Sequence, residues 1–331
     1  MPEQVSAPGT VLLFGDVNID NLLFIPEYPV PGRDGLATQA ETHLGGAVCN
    51  SAVDLTQLGQ PAALLAATGT DPWADLAFSE LARAGVDTTR LVRKAGMTTG
   101  LIFIAITPNG ERTMFCNRAA NSFITPQDCS ANVLDGVNLI QVSGYAFLNS
   151  PQRDTAWHLM ELARQKGIPI SLDSGLDPVI LQTEDLRRSL EFLSLCVVGD
   201  QEASLLTSET ELHAATQALR AAGPEIVAVK LGREGCLIAW DTEQLVLPPF
   251  PVQVLDTTGA GDAFSAGLIY GWLHGFSPAA AGVLANAMGG LTTTVTGGAQ
   301  IGLVELLLFL RQQKDYPAQA ALAEVLQHFS G

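Results

Sequence analysis

The chain has 331 residues, 47% of them apolar, and a formal net charge of −17. That length suits one α/β core with a small appendage, and the apolar fraction allows a large buried interior. The acidic balance excludes nucleic acid and anionic membrane surfaces as partners, because both repel a uniformly negative protein.

The apolar run at 11–14 predicts a first strand, which ends in Gly15-Asp16-Val17-Asn18-Ile19-Asp20. Ligands of parallel α/β sheets sit beyond the carboxyl ends of the strands. Asn18 and Asp20 alternate to one side of an extended chain, and both can hydrogen-bond vicinal hydroxyls; a plain polar turn explains the same residues equally well. Segments 22–25 and 35–43 read as extended pieces with proline-rich connections. Segments 101–106 and 112–116 flank Thr107-Pro108-Asn109-Gly110-Glu111 and read as a β-hairpin. These four pieces do not extend a parallel sheet, so a separate small sheet covering one mouth of the core is expected.

Gly45-Gly46 opens a helix that runs to 58, followed by a strand at 62–66. Asp71-Pro72 supplies an N-cap and a first-turn proline for a helix stopped by Gly85, and Thr125-Pro126 repeats that opening. A strand at 139–142 leads to a helix opened by Ser150-Pro151 and closed at Gly167. Strands follow at 168–172, 195–198 and 226–230. This alternation predicts a mostly parallel sheet covered by helices on both faces. Helices at 263–273, 278–295, 304–312 and 317–329 complete the chain.

Two features are weighed separately. The five cysteines (Cys49, Cys116, Cys129, Cys196, Cys236) form no C-x-x-C pair and no zinc-spaced cluster, and the N-terminus shows no secretion signal. A reducing cytoplasmic setting without a disulfide framework is therefore expected. From 263 to 304 there is no Asp, Glu, Lys or Arg, and Gly267 and Gly271 form a G-x-x-x-G. In a membrane that pattern marks a helix pair. Here His274, Pro278 and Thr292-Thr293-Thr294 favour a buried pair.

The most informative stretch is Asp256-Thr257-Thr258-Gly259-Ala260-Gly261-Asp262-Ala263-Phe264. It sets a glycine loop at a helix start, where free amides and the positive dipole end attract an anion. A carboxylate, Asp262, stands in the first turn. Amides that hold charge beside a carboxylate that takes a proton suit transfer of a phosphoryl group to an alcohol. The bland reading is a glycine turn with an acidic cap. There is no G-x-x-x-x-G-K-[ST] P-loop.

The string D-T-T-G-A-G-D-A-F-S-A-G resembles the C-terminal signature of the ribokinase-like (PfkB) sugar kinase family. Gly45-Gly46-Ala47-Val48-Cys49-Asn50-Ser51-Ala52 resembles its N-terminal one. Val229-Lys230-Leu231-Gly232-Arg233-Glu234-Gly235 resembles the segment that borders the nucleotide. The resemblance implies a single domain over 1–331 with a doubly wound, mostly parallel sheet flanked by helices, and a small β-sheet lid formed by segments at about 18–45 and 98–118. It implies ATP-dependent phosphorylation of a hydroxyl on a sugar or sugar acid, with Mg²⁺ and K⁺ as cofactors.

By that resemblance Asp262 is the base, and Gly259, Ala260 and Gly261 form the anion hole. Asn18, Asp20, Gly46 and Asn50 hold the sugar. Lys230, Gly232, Gly235 and Asn286 border the nucleotide, with 296–299 beside the adenine. Glu202 organises Mg²⁺ through water, and Asp256, with the carbonyl of Thr258, helps hold the monovalent cation. The helix dipole is expected to keep Asp262 ionised at neutral pH. This makes it a weak base, which suffices if proton transfer comes late.

The chain departs from the family at two places. Gly199-Asp200-Gln201-Glu202 carries glycine where N-x-x-E has asparagine, with Asp200 a candidate to compensate. Ala47 stands where ribokinase has lysine, which makes ribose the less comfortable acceptor. Arg33, Arg112 and Arg118 fall on the lid or its edge. Arg118 is the best candidate to grip an acidic acceptor; the plain alternative is ordinary solvated arginines. No cluster of basic residues marks a second phosphate, so phosphosugars are disfavoured. A homodimer through the lid is expected. The rival readings are a nucleoside kinase, with Phe103, Phe115 and Phe123 as the base slot, and a catalytically silent sugar sensor.

Overall fold

The structure is a computed structural model that describes residues 9–109, 111–298 and 301–330. Gly110 of the hairpin turn and Ala299 of the expected adenine border lie outside the described residues. The strands, in chain order, are β1 (Thr10–Phe14), β2 (Asn18–Phe24), β3 (Gln39–Gly45), β4 (Ala62–Leu65), β5 (Ala67–Thr68), β6 (Val92–Arg93), β7 (Gly100–Ile106), β8 (Arg112–Asn117), β9 (Val137–Ser143), β10 (Ile170–Asp173), β11 (Leu195–Gly199), β12 (Ile226–Lys230), β13 (Cys236–Trp240) and β14 (Glu243–Leu247).

The main sheet has the order β14-β13-β12-β11-β10-β9-β1-β4. Strands β4, β1, β9, β10, β11 and β12 run parallel, and β13 and β14 append an antiparallel hairpin at one edge. Alternate residues of β1 enter opposite cores: Val11 and Leu13 pack on one face, Leu12 and Phe14 on the other. A strand buried on both faces reads as a continuous apolar run, which is why β1, β11 and β12 are legible in sequence.

The second sheet, β3-β2-β7-β8, contains the two extended pieces and the hairpin. It has its own small apolar cluster of Leu22, Ile102 and Ile104, and it leaves the core through β2, directly after β1. The expected separate small sheet is therefore present. The expected helix at Thr125-Pro126 does not form: only a 3₁₀ turn, Pro126–Asp128, follows that cap. Asp128 both closes a capping box on Thr125 and pairs with Lys94, which fixes the segment as a loop brace.

Helices Ala260–Leu273 and Pro278–Thr292 pack against each other with their backbones close. A Cβ on Gly267 would lie 2.8 Å from the Ala285 Cα, and one on Gly271 2.8 Å from the Ala281 Cα. The G-x-x-x-G is thus a buried packing seam. No described helix is long and apolar enough to cross a membrane.

Candidate active site

Helix Ala260–Leu273 starts from Gly259, whose φ of 76° is left-handed, a conformation that glycine tolerates without strain. The turn exposes the first amides of the helix. The Ala260 amide makes only a long bond of 3.3 Å to the Thr257 carbonyl, while Ala263 closes the first regular turn on Gly259 at 2.8 Å. Among the described residues, nothing accepts from the amides of Gly261 and Asp262, as a first helical turn requires.

Ala260 and Gly261 line a cleft of about 560 Å³ together with Gly232, Gly235, Phe250, Phe264 and Asn286. Asp262 lines a smaller one of about 140 Å³ with Ala47, Ser143, Tyr145 and Asp173. Lys230, at the carboxyl end of β12, lines both. The anion hole and the carboxylate therefore open onto two spaces with a common cationic wall.

The Asp262 side chain is fixed from helix Ala47–Gln57. Asn50 Nδ2 donates to its Oδ2 at 2.7 Å, and the Ser51 hydroxyl donates to its main-chain oxygen at 3.0 Å. Burial pushes the carboxyl up to about 7; the Asn50 bond opposes this, Asp173 adds to it, and Lys230 opposes it. This corrects the expectation that the helix end keeps Asp262 ionised. Withdrawal from water outweighs the dipole, whose effect is confined to a fraction of that energy.

Lys230 Nζ donates to Asp173 Oδ1 at 2.8 Å, and the Ser265 hydroxyl donates to Asp173 Oδ2 at 2.6 Å. Burial works against the ammonium, but Asp173 and Glu202 outweigh it and hold its pKa above the ordinary lysine value. Asn286 also faces the larger cleft, with its Nδ2 donating to the Pro248 carbonyl at 2.6 Å.

The expected sugar residues are split. Asn18, Asp20 and Gly46 line neither cleft. Asn18 Oδ1 accepts from Asn121 Nδ2 at 2.9 Å. Asp20 is lifted to about 6, chiefly by burial, and its Oδ1 has no partner among the described residues. Gly46 has φ 101°, and a Cβ there would sit 2.2 Å from the Asp16 carbonyl, so the double glycine lets the helix start press against the end of β1. Arg118 clamps Asp16 through Nε at 2.7 Å and Nη2 at 2.8 Å and also touches Gln152, which leaves Nη1 buried and unpartnered among the described residues. Arg33 is exposed and lines neither cleft.

Three further expectations change. Glu202 Oε2 accepts from the Gly199 amide at 2.7 Å and the Ser174 hydroxyl at 2.6 Å, leaving Oε1 unpaired among the described residues, and Asp200 is exposed and bonds only the next amide. Asp200 therefore makes no direct hydrogen bond to Glu202 in the place of the missing asparagine. The Asp256 carboxylate and the Thr258 hydroxyl meet the guanidinium of Arg112, so the carboxylate expected beside a monovalent cation is already paired, while the Thr258 carbonyl takes no part in that contact. Phe103, Phe115 and Phe123 are 44%, 62% and 49% exposed and line neither cleft, so they build no slot for a base.

Sequence reasoning missed Asp173, Tyr145 and the exposed Arg233 that rims the larger cleft. Asp173 ends a parallel strand, the position where a polar residue signals a ligand.

The pfkB family carbohydrate kinase pattern matches residues 9–303. An ATP-dependent ribose-1-phosphate kinase of Halopiger xanaduensis is 32% identical over 286 residues, covering 85% of this chain and 91% of that one. An adenosine kinase from Sinorhizobium meliloti superposes with a TM-score of 0.81 at 21% identity, covering 92% of this chain and 99% of its own. Arabidopsis thaliana ribokinase complexed with ribose and ATP does so with 0.80 at 21% identity and the same coverage. These two structures establish the fold alone.

Proposed function

The chain belongs to the pfkB family of carbohydrate kinases, ATP-dependent phosphotransferases with an alcohol group as acceptor, and on that premise we propose that it phosphorylates a hydroxyl of a sugar or sugar acid with Asp262 as base. The observation that carries this reading is the placement of Asp262 and of the Ala260–Gly261 amides on two clefts that share Lys230. ATP in the larger cleft would bring its terminal phosphate to the amides, and an acceptor in the smaller one would bring a hydroxyl to Asp262. Phosphoryl transfer has a loose, charge-rich transition state, so oriented amides and a fixed base are the useful contributions.

In this reading Asn50 orients the carboxylate, and Lys230, steadied by Asp173, faces the phosphates. The unpartnered Nη1 of Arg118 and Oδ1 of Asp20 are buried and border neither cleft, so in this reading they would meet acceptor oxygens only through a shift of the lid. Lid closure limits the access of water to the transferring group. Mg²⁺ accompanying the nucleotide would supply charge neutralisation, and Glu202, whose Oε1 is unpaired among the described residues, would help hold it through water. Among the described residues no cluster of three metal-ligating side chains exists, which suits an ion carried mainly by phosphates and water.

A panel of sugars, sugar acids, polyols and nucleosides scored for stimulated ADP formation tests the reading. Asp262→Asn is expected to lower kcat by about 10²-fold or more, the range for loss of a general base. A variant as active as the parent overturns the assignment. Stimulation by nucleosides alone moves the acceptor to the rival class, and no stimulation by any member points to a silent sensor.

We also infer a homodimer through the lid. Phe103 and Phe115 are directly paired across β7 and β8 and are both exposed, and apolar sheet surface of this kind favours a second copy. A monomer in light scattering refutes it.

A further inference from the structure

We propose that the Arg112 guanidinium supplies, from the lid, the positive charge that a monovalent cation would otherwise place behind the anion-hole loop. This rests on the kinase reading above and concerns how its loop is completed. Arg112 Nη2 pairs with Asp256 Oδ1, and its Nη1 contacts the Thr258 hydroxyl. The Thr258 amide also donates to Asp256 Oδ1 at 2.7 Å, and the Gly297 amide donates to Oδ2 at 3.0 Å. Both carboxylate oxygens are thus engaged, and the one negative charge is already matched. A second cation at the same place would meet the guanidinium at close range, where like charges repel.

The pair is shielded from water. The Asp256 side chain is 3% exposed and that of Arg112 is 20% exposed. A buried carboxylate with its cation removed is strongly destabilised, so Asp256 needs a positive partner, and the chain carries its own. That partner is also conditional. Arg112 pairs with Ile106 at the turn end of the β7–β8 hairpin, so its guanidinium reaches Asp256 only when the lid lies over the loop. Thr258 directly precedes Gly259, where the amide-bearing helix begins. Lid closure therefore completes the electrostatics of the anion hole in the same step that covers the acceptor.

The test compares KCl with tetramethylammonium chloride at equal ionic strength, reading both turnover and melting temperature. For the unmodified protein turnover is expected to differ by less than about twofold, beyond the screening common to both salts, and the melting temperature is expected to be the same. Arg112→Ala is expected to lose about tenfold or more in kcat, the scale of one charge-assisted hydrogen bond. It is also expected to gain a K⁺-specific rise in turnover and in melting temperature. Arg112→Lys is expected to stay indifferent to K⁺. Strong K⁺ activation of the unmodified protein, or a K⁺-specific rise in its melting temperature, overturns the proposal. So does an Arg112→Ala protein that behaves as the parent. The melting comparison needs no acceptor, so it decides the cation question even if the acceptor panel fails and the kinase reading falls.

Discussion

Asp262→Asn is expected to disable the enzyme and stabilise the fold at once. Burial raises the Asp262 carboxyl from 3.8 to about 7. Each tenfold change in proton affinity is worth about 1.4 kcal/mol, so the full ionisation penalty is about 4 kcal/mol. Solvent at the open edge of the smaller cleft reduces that to about 2–4 kcal/mol. The sign follows from proton binding. Between pH 3.8 and about 7 the unfolded chain has lost this proton while the folded chain keeps it. Stability therefore falls as pH rises through that window and levels off above it. The amide side chain of the variant does not titrate, and its oxygen can still accept from Asn50. The advantage of the variant should grow from pH 5 to pH 8 by about 1–2.5 kcal/mol, somewhat over half of that penalty. Urea unfolding of both proteins at the two pH values, beside turnover assays, measures it. An advantage that is absent or constant with pH would refute the claim that burial sets the state of this carboxyl.

The same value predicts that kcat/KM rises about tenfold per pH unit below about 7 and is level above it; a profile flat from pH 5.5 to 8 contradicts a single base with this environment. Arg233→Ala is expected to raise the KM for ATP by about tenfold with kcat little changed, because an exposed rim charge contributes uniform binding; an unchanged KM removes it from the nucleotide site. Lys230→Met strips Asp173 of its cation and is expected to cost about 3 kcal/mol in urea unfolding. Adding Asp173→Asn should recover most of that stability without recovering turnover, and recovery of both would make the pair purely structural.

The sheet was legible because its strands are buried on both faces, so β1, β11 and β12 appear as apolar runs. The edge hairpin β13–β14 was not, since Glu243 and Gln244 interrupt the run and one face is partly open. Thr125-Pro126 misled because a capping sequence specifies a beginning and carries no information on length. At the site, the loop from Gly259 to Asp262 was readable because backbone chemistry is local: a left-handed glycine and a first helical turn need no distant partner. The ionisation of Asp262 and the role of Arg112 were not. The first depends on burial contributed by helix Ala47–Gln57, the second on a hairpin 144 residues away from Asp256. Long-range environment is the part of a site that spacing does not encode.

The charge arrangement explains how so acidic a chain can hold a polyanion. Three cations approach the site, and each is matched by one carboxylate: Arg112 by Asp256, Arg118 by Asp16 and Lys230 by Asp173. Such pairs leave little net field, so they cannot draw in a nucleotide by long-range attraction. What they supply is orientation, because a paired lysine or arginine is held at a fixed place with its remaining hydrogens directed. The attraction then falls to uncompensated donors: the first amides of helix Ala260–Leu273, and Arg233, which has no carboxylate partner among the described residues. Amide dipoles act only at contact and favour the charge that develops in the transfer as much as the charge already present. A site built this way gains little from nonspecific anions and most from the one group that reaches both the amides and Lys230.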